Sequence, residues 1–351
     1  MRSSSGGDRA AASVRVALAG VLGVSLAEVE IASAASSGAD AVILAAGQPF
    51  VVAVIKSAGA APIAAALKKV QASVRRLRKR GRPLLVVRFM GDVGRRLCNE
   101  AGVGWVDLSG NARIVAPGIR VIVDGRPNRF RSTGRPPDMF APKSARVARW
   151  LLIHAAEPFT QRQIARATDM TEGFVSRIVS RLEHEGYLVR NEHGAVCSKD
   201  PALLLDAWRE AYRFSKHTIY QGHVAARSGD ALLRFVGDTL REQGIDYAAT
   251  GLAAAWALTR FAAFRMVTIY LPLDPFPALL GRLGCREEAR GANLRLVVPN
   301  DAGVFHGAAE QDGIRCVHPV QAYLDLKEHP ERAPEAAERL RTELLAWKRD
   351  G

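Results

Sequence analysis

The chain has 351 residues, a formal net charge of +14, 48% hydrophobic and 24% charged residues. That balance excludes an intrinsically disordered chain, and the length allows two or three separate cores. The charge is one-sided: 22 basic and 9 acidic residues fall in 1–143, 8 and 6 in 144–199, and 19 and 20 in 200–351. A basic front half favours a polyanion, either nucleic acid or an anionic membrane surface. Cys98, Cys197, Cys285 and Cys316 are too scattered for a CxxC or a zinc spacing, and no HExxH occurs. Neither a metal site, nor a cofactor, nor a disulfide framework is predicted, and a reducing cytoplasm fits. No run of 18 apolar residues free of charge occurs, so no membrane span is expected.

Residues 1–12 are small and polar and read as frayed. Arg9, Arg15 and the run VALAGVLGVSLA imitate a secretory signal, but Glu28 and Glu30 fall where a cleavage region is normally uncharged. Val14, Leu18, Val21 and Leu22 share one helical face, which predicts an amphipathic helix. Strand-like runs follow at DAVILAA, FVVAVIK, PLLVVRF and GWVDLS, with a hairpin turning at Gly47–Pro49. Helices are predicted at Pro62–Arg80 and Asp92–Ala101. In the first, Ile63, Leu67, Val70, Val74 and Leu77 form a buried stripe, while Lys68, Lys69, Arg75, Arg76 and Lys79 form a basic one. No acidic residue lies between Ala41 and Gly91 to neutralise it, so the stripe is a phosphate-contact candidate. Residues 1–123 thus form an α/β unit.

Residues 124–143 are rich in Pro, Gly and Arg and read as a linker. Arg126, Arg129, Arg131, Arg135 and Lys143, with Arg146 just beyond, would let it lie along phosphates, Arg129 and Arg131 being the leading contacts. Residues 144–199 then read helix, helix, helix, hairpin. The first helix buries Val147, Trp150, Leu151 and His154. Thr160 caps the second, with Gln163 completing a capping box. The third runs from Thr171 to a stop at Gly186. The alternating stretch after it turns at Asn191–Gly194, a small wing.

This is the order of a winged helix-turn-helix. Its third helix buries Val175, Ile178, Val179 and Leu182 and offers its other face to a DNA major groove. Arg177 or Arg181 would bond guanine in bidentate fashion, and Ser176 and Ser180 are short enough to permit close approach. Thr171, Gly173 and Ser176 would offer donors to phosphate, as would Arg190 and His193 on the wing. The stretch TQRQIARATDMTEGFVSRIVSRLEHEGYLVR resembles MarR-type winged helices.

In the front unit, the order of elements and the hairpin ADAVILAAGQPFVVAVIKS resemble the restriction-endonuclease-like, or PD-(D/E)xK, fold. Asp40 and Lys56 match two positions of that family's motif, but Val54 stands where its second acid belongs. The resemblance implies magnesium-dependent cleavage of DNA, and the missing carboxylate implies its loss. Asp40 and Lys56 are therefore vestigial catalytic candidates.

The back unit, 200–351, has predicted helices at 202–214, 229–243 and 334–349 and strands at MVTIYLP and NLRLVVP. DYAATGLAAAWALTRFAAFRMVTIYLP resembles a nucleotidyltransferase core. Leu252 follows Gly251 where that family has Gly-Ser, and Ile269, Tyr270 and Leu271 replace its Asp-x-Asp pair. With VHPVQAYLDLKEHPERAPEAAERLRTELL and the winged helix, the chain resembles the AbiEi group of type IV antitoxin-like regulators. That resemblance implies a promoter-binding repressor and a nucleotidyltransferase toxin as partner. The expected fold is multidomain α/β plus α: an endonuclease-like α/β domain, a central winged helix-turn-helix and an inactive nucleotidyltransferase-like α/β domain. The expected function is sequence-specific binding of double-stranded DNA without catalysis, in the cytoplasm and away from membranes. The alternatives are a magnesium-dependent endonuclease guided by the winged helix and an antitoxin acting by protein contact. A homodimer would set two recognition helices about 34 Å apart.

Overall fold

The computed structural model describes residues 4–32, 38–55, 59–77, 81–130, 139–261, 263–287 and 290–347. The chain forms two compact units, 1–136 and 137–351, each mixing helices with sheet.

The first unit is a seven-stranded sheet with helices on both faces. Its elements are α1 (Ser4–Leu22), β1 (Glu30–Ala32), β2 (Ala41–Ala45), β3 (Gln48–Ile55), α2 (Ala60–Arg76), β4 (Arg82–Val87), α3 (Asp92–Glu100), β5 (Gly104–Asp107), β6 (Ala112–Ala116) and β7 (Ile119–Val123). The strands lie in sequence order. The pairs β3–β4 and β4–β5 are parallel, and the others are antiparallel. The parallel pairs need crossovers, which α2 and α3 supply. Strands β3 and β4 are near-continuous apolar runs because both of their faces are covered. Val14 and Leu18 of α1 pack with Ile43, Phe50, Val52, Leu84 and Val86 on one face. Ile63, Leu67 and Val70 of α2 pack with Val51, Leu85, Val87, Met90 and Trp105 on the other.

Helix α1 begins at Ser4, inside the stretch expected to fray. Helix α2 begins two residues before the predicted start and ends at Arg76. The β2–β3 turn falls at Ala46–Gly47, where φ is +47° and +69°, with Ala45 opposite Gln48. Two consecutive positive φ values suit a two-residue hairpin, so Pro49 sits in the strand opposite Leu44 rather than in the turn. The β6–β7 hairpin was not anticipated. It turns at Pro117–Gly118, with Gly118 at φ +74°, the glycine demand of a type II turn.

The second unit begins with α4 (Ala145–Ile153), α5 (Gln161–Thr168), α6 (Glu172–His184) and the two-stranded β8 (Leu188–Arg190) and β9 (Val196–Ser198). It continues through α7 (Pro201–Ala211), β10 (Thr218–His223), α8 (Gly229–Glu242), β11 (Ala248–Thr250), α9 (Gly251–Thr259), β12 (Val267–Tyr270), α10 (Pro277–Leu283), β13 (Arg286–Glu287), β14 (Leu294–Val298), β15 (Ala309–Gln311), β16 (Ile314–Cys316), α11 (Pro319–Asp325) and α12 (Ala333–Leu344). Its seven-stranded sheet has the order β13-β10-β14-β12-β11-β16-β15. Helix α9 is apolar nearly all round and is buried against the sheet, α11 and α12. Gly251 opens it at φ +60°, where a Cβ would lie 2.6 Å from the His329 ring. Helix α4 packs on α7 and α11, so the three-helix segment and the back segment share one body.

Asp107, at the end of β5, is fully buried and holds the β5–β6 turn. It accepts from Met90 N (3.2 Å) and from Ser109 N, Asn111 N and Asn111 Nδ2 (each 2.9 Å). Asp107→Ala strands several buried donors and should cost about 3 kcal/mol, read as a lower denaturant midpoint for unfolding of the first unit.

Candidate nucleic-acid interface

The helix-turn-helix follows from local chemistry. Thr160 accepts from Gln163 N, and the Gln163 side chain accepts back from Thr160 N at 2.8 Å, a complete capping box. Asp169 ends α5 in the left-handed region at φ +53°. Ile164, Ala165, Val175, Ile178, Val179 and Leu182 form the buried seam between α5 and α6. Gly186, at φ +77°, stops α6. In the wing, Asn191 Oδ1 accepts from His193 N (3.1 Å) and Ala195 N (2.9 Å), and β9 pairs with Phe159 ahead of α5.

Helix α6 turns one face to solvent. Thr171, Gly173, Arg177, Ser180 and His184 are exposed, while Ser176 and Arg181 are half-buried at the edges of that face. Helical spacing puts Gly173, Arg177, Ser180 and His184 in one row. Arg177 has no carboxylate partner among the described residues; its guanidinium lies 5.5 Å from the centre of the Phe174 ring, with Lys143 5.9 Å from the same ring. Lys143, Arg166 and Arg177 line an open groove of about 580 Å³ floored by Met170 and Phe174, with Asp169 and Glu172 on its rim. His184 joins this row by its spacing of four from Ser180, a signal present in the sequence.

Two other sequence-nominated cations are tied internally. Arg181 Nη2 pairs with Glu185 Oε1 at 3.0 Å. Arg190 donates through Nε (3.0 Å) and Nη2 (2.8 Å) to the two oxygens of Glu183 and through Nη1 to Gly194 O (2.7 Å). Those bonds raise the Arg190 pKa further and brace the wing against the third helix. His193 is exposed at the wing tip.

In the first unit, Lys68, Lys69, Arg75 and Arg76 are all exposed on α2. Lys69 is not free: its Nζ lies 2.6 Å from Asp40 Oδ1. The other Asp40 oxygen accepts from Val54 N at 2.9 Å. Both Asp40 oxygens are thus engaged, one by an ammonium and one by a backbone amide. Lys56, Lys79 and Arg131 lie outside the described residues. Arg129 is exposed, with its backbone N–H donated to Ser109 Oγ.

In the back segment, Thr250, Tyr270 and their neighbours Ile269 and Leu271 are completely buried. A polar chain fills the place between them. Asp325 accepts from Thr250 Oγ1 (2.5 Å), Tyr212 Oη (2.5 Å) and Gln321 Nε2 (2.7 Å). Gln321 Oε1 accepts from Arg149 Nη2 (2.6 Å), which reaches in from α4. His217 Nε2 lies 2.9 Å from Tyr212 Oη and 3.2 Å from Tyr270 Oη, while its Nδ1 accepts from Asn300 N. Burial pushes Asp325 up to about 6, against the pull of its hydrogen bonds, and His217 down to about 4. Among the described residues no group of three or more His, Cys, Asp or Glu side chains is placed to hold a metal ion. No described helix is long and apolar enough to cross a membrane.

Residues 142–195 match the model of the MarR family. Uncharacterized HTH-type transcriptional regulators of Bacillus cereus, Bacillus thuringiensis subsp. konkukian and Bacillus anthracis are each 43% identical to this chain over 42 residues. That stretch is 12% of this chain and 29% of each relative. No solved structure matches significantly. The matched stretch, α4 to α6 with β8, is therefore a MarR-family winged-helix region set within a longer mixed α/β chain.

Proposed function

We propose that this protein is a sequence-specific, non-catalytic DNA-binding transcriptional regulator that acts as a repressor. The observation that carries the reading is the exposed row Gly173, Arg177, Ser180 and His184 on α6, with Arg177 free of a carboxylate partner among the described residues and set beside the Phe174 ring. Gly173 and Ser180 let the helix approach base edges, and Arg177 supplies the planar fork that matches guanine. Lys143 and Arg166 beside the groove and His193 on the wing supply phosphate contacts. Arg181 and Arg190 support the geometry rather than touch bases, since both are bonded within the domain.

The first unit serves as a second, sequence-independent phosphate surface built on Lys68, Arg75 and Arg76. Its likeness to an endonuclease fold is supported by Asp40 at the mouth of the β2–β3 hairpin, with the Val54 amide bonded to it. A magnesium-dependent cut is disfavoured because Lys69 already neutralises that carboxylate and Val54 brings no second one. Nucleotide transfer is disfavoured because Thr250, Asp325 and Arg149 close the corresponding place from within.

Arg177→Ala should weaken binding to a duplex selected by the wild-type protein by about 1–3 kcal/mol and relax preference at one base pair, measured by fluorescence anisotropy on single-base variants. Equal loss on every variant would show that Arg177 contacts phosphate instead. Arg75→Ala with Arg76→Ala should lower the slope of log affinity against log salt by about 1.8, on any sequence. An unchanged slope rules out α2 as a DNA surface. Supercoiled plasmid incubated with the protein and Mg²⁺ or Mn²⁺ should remain uncut. Nicking that disappears in Lys56→Ala would establish the enzyme reading in its place.

A further inference from the structure

The helices and wing of the winged-helix segment are bonded to a loop of the back segment. Arg146, in the first turn of α4, forks between two partners. Its Nε and Nη2 donate to Asp301 Oδ1 (2.8 Å) and Oδ2 (3.0 Å), and its Nη1 donates to Thr168 O (3.0 Å). Asp301 belongs to the back segment, 155 residues away in sequence, and opens the short 3-10 turn Ala302–Phe305. Thr168 is the last residue of α5, four before Glu172, the first residue of α6. One planar guanidinium therefore spans from the back segment to the turn that sets the recognition helix.

The same loop holds the wing by a second route. Trp150 lies edge-on to His306, with ring centres 5.0 Å apart, and edge-on to Phe159 at 5.5 Å. Phe159 exchanges backbone hydrogen bonds with Val196 of β9, N to O at 2.9 Å and back at 2.8 Å. Between the two anchors stands Gly303. A Cβ there would lie 2.6 Å from Asp301 Oδ1 and 2.8 Å from Arg149 Nη1, so the loop is seated directly on α4.

We propose that the loop Asp301–His306 positions both the recognition helix and the wing, with Arg146 as the positioning residue for the first, so that movement of this loop changes DNA affinity without any change at the DNA-contacting surface. The proposal rests on the DNA-binding reading above. Arg is required because a single ammonium holds Asp301 but cannot also reach Thr168 O in the same plane. The ion pair is largely buried, with Arg146 20% and Asp301 11% exposed, so solvent screens it little.

The full chain carrying Arg146→Lys tests this against Asp301→Asn and Arg177→Ala, using a duplex that the wild-type protein selects from a random library. Arg146→Lys should keep the wild-type melting temperature, lose affinity by about tenfold, and speed hydrogen exchange at amides 168–171. Asp301→Asn should lower both stability and affinity. Arg177→Ala should lose affinity with wild-type exchange at 168–171. Affinity that follows melting temperature in all three variants, or wild-type affinity and exchange in Arg146→Lys, overturns the proposal. A wild-type protein that selects no duplex overturns the DNA reading instead, and exchange at 168–171 in Arg146→Lys still decides whether the loop holds the turn.

Discussion

The second unit depends on carrying the positive charge of Arg149 out of water. The residue is 4% exposed, and burial lowers its pKa. A buried guanidinium is costly wherever other groups replace its hydration only in part. Here Gln321 accepts from Nη2 at 2.6 Å, the Trp208 ring lies 5.0 Å away, and Asp301 and Asp325 contribute favourable charge, while Nε and Nη1 find no hydrogen-bond partner among the described residues. The Gln321 amide passes the polarity on to Asp325, and Asp325 to Thr250 and Tyr212. Removing one partner from such an arrangement typically costs about 3–5 kcal/mol, because the remaining charge stays buried. This explains why a winged helix that looks modular in sequence folds as one body with the segment behind it.

The parts of the fold that were readable in the sequence are those fixed by neighbours. The capping box at Thr160 and Gln163, the glycine stop at Gly186 and the 3–4 spacing of Val175, Ile178, Val179 and Leu182 each need only one turn of helix to declare themselves. The strand, glycine and helix at Ala248–Thr259 were equally local. What escaped were interactions between residues far apart along the chain. Arg149 lies amid an apolar helix face, and nothing near it announces Gln321, 172 residues later. The Pro117–Gly118 hairpin was in fact local, since RIVAPGIRVIV carries a Pro-Gly turn between two β-branched runs.

The same locality limits charge counting. The basic stripe on α2 lacks acids within its own stretch, yet Asp40 reaches Lys69 across 29 residues. On α6, Arg177 and Arg181 are equivalent by helical spacing, but Glu185 lies one turn beyond Arg181 and no acid lies one turn beyond Arg177. Arg190 reads by sequence as a hand for phosphate, and Glu183 lies seven residues before it. Their bidentate pairing converts both into a strut between helix and wing. Formal charge therefore overstates the number of cations available to a polyanion. Arg177, Lys68, Arg75 and Arg76 keep that capacity because the fold leaves them without a bonded carboxylate among the described residues.

The two places where the sequence resembles enzymes share one physical feature. In each, a carboxylate that could help hold a divalent cation is instead served by the chain's own cation or dipoles. Lys69 stands on Asp40 directly, and Arg149 serves Asp325 through Gln321. A metal centre concentrates carboxylates whose mutual repulsion the ion relieves. A lone carboxylate with an ammonium or a ring of donors has no such repulsion to relieve and gains little from a divalent ion. Charge balance at both places therefore works against binding of a divalent ion. The cation that serves Asp325 comes from the first helix of the winged-helix segment, so this polar chain ties that segment to the one behind it.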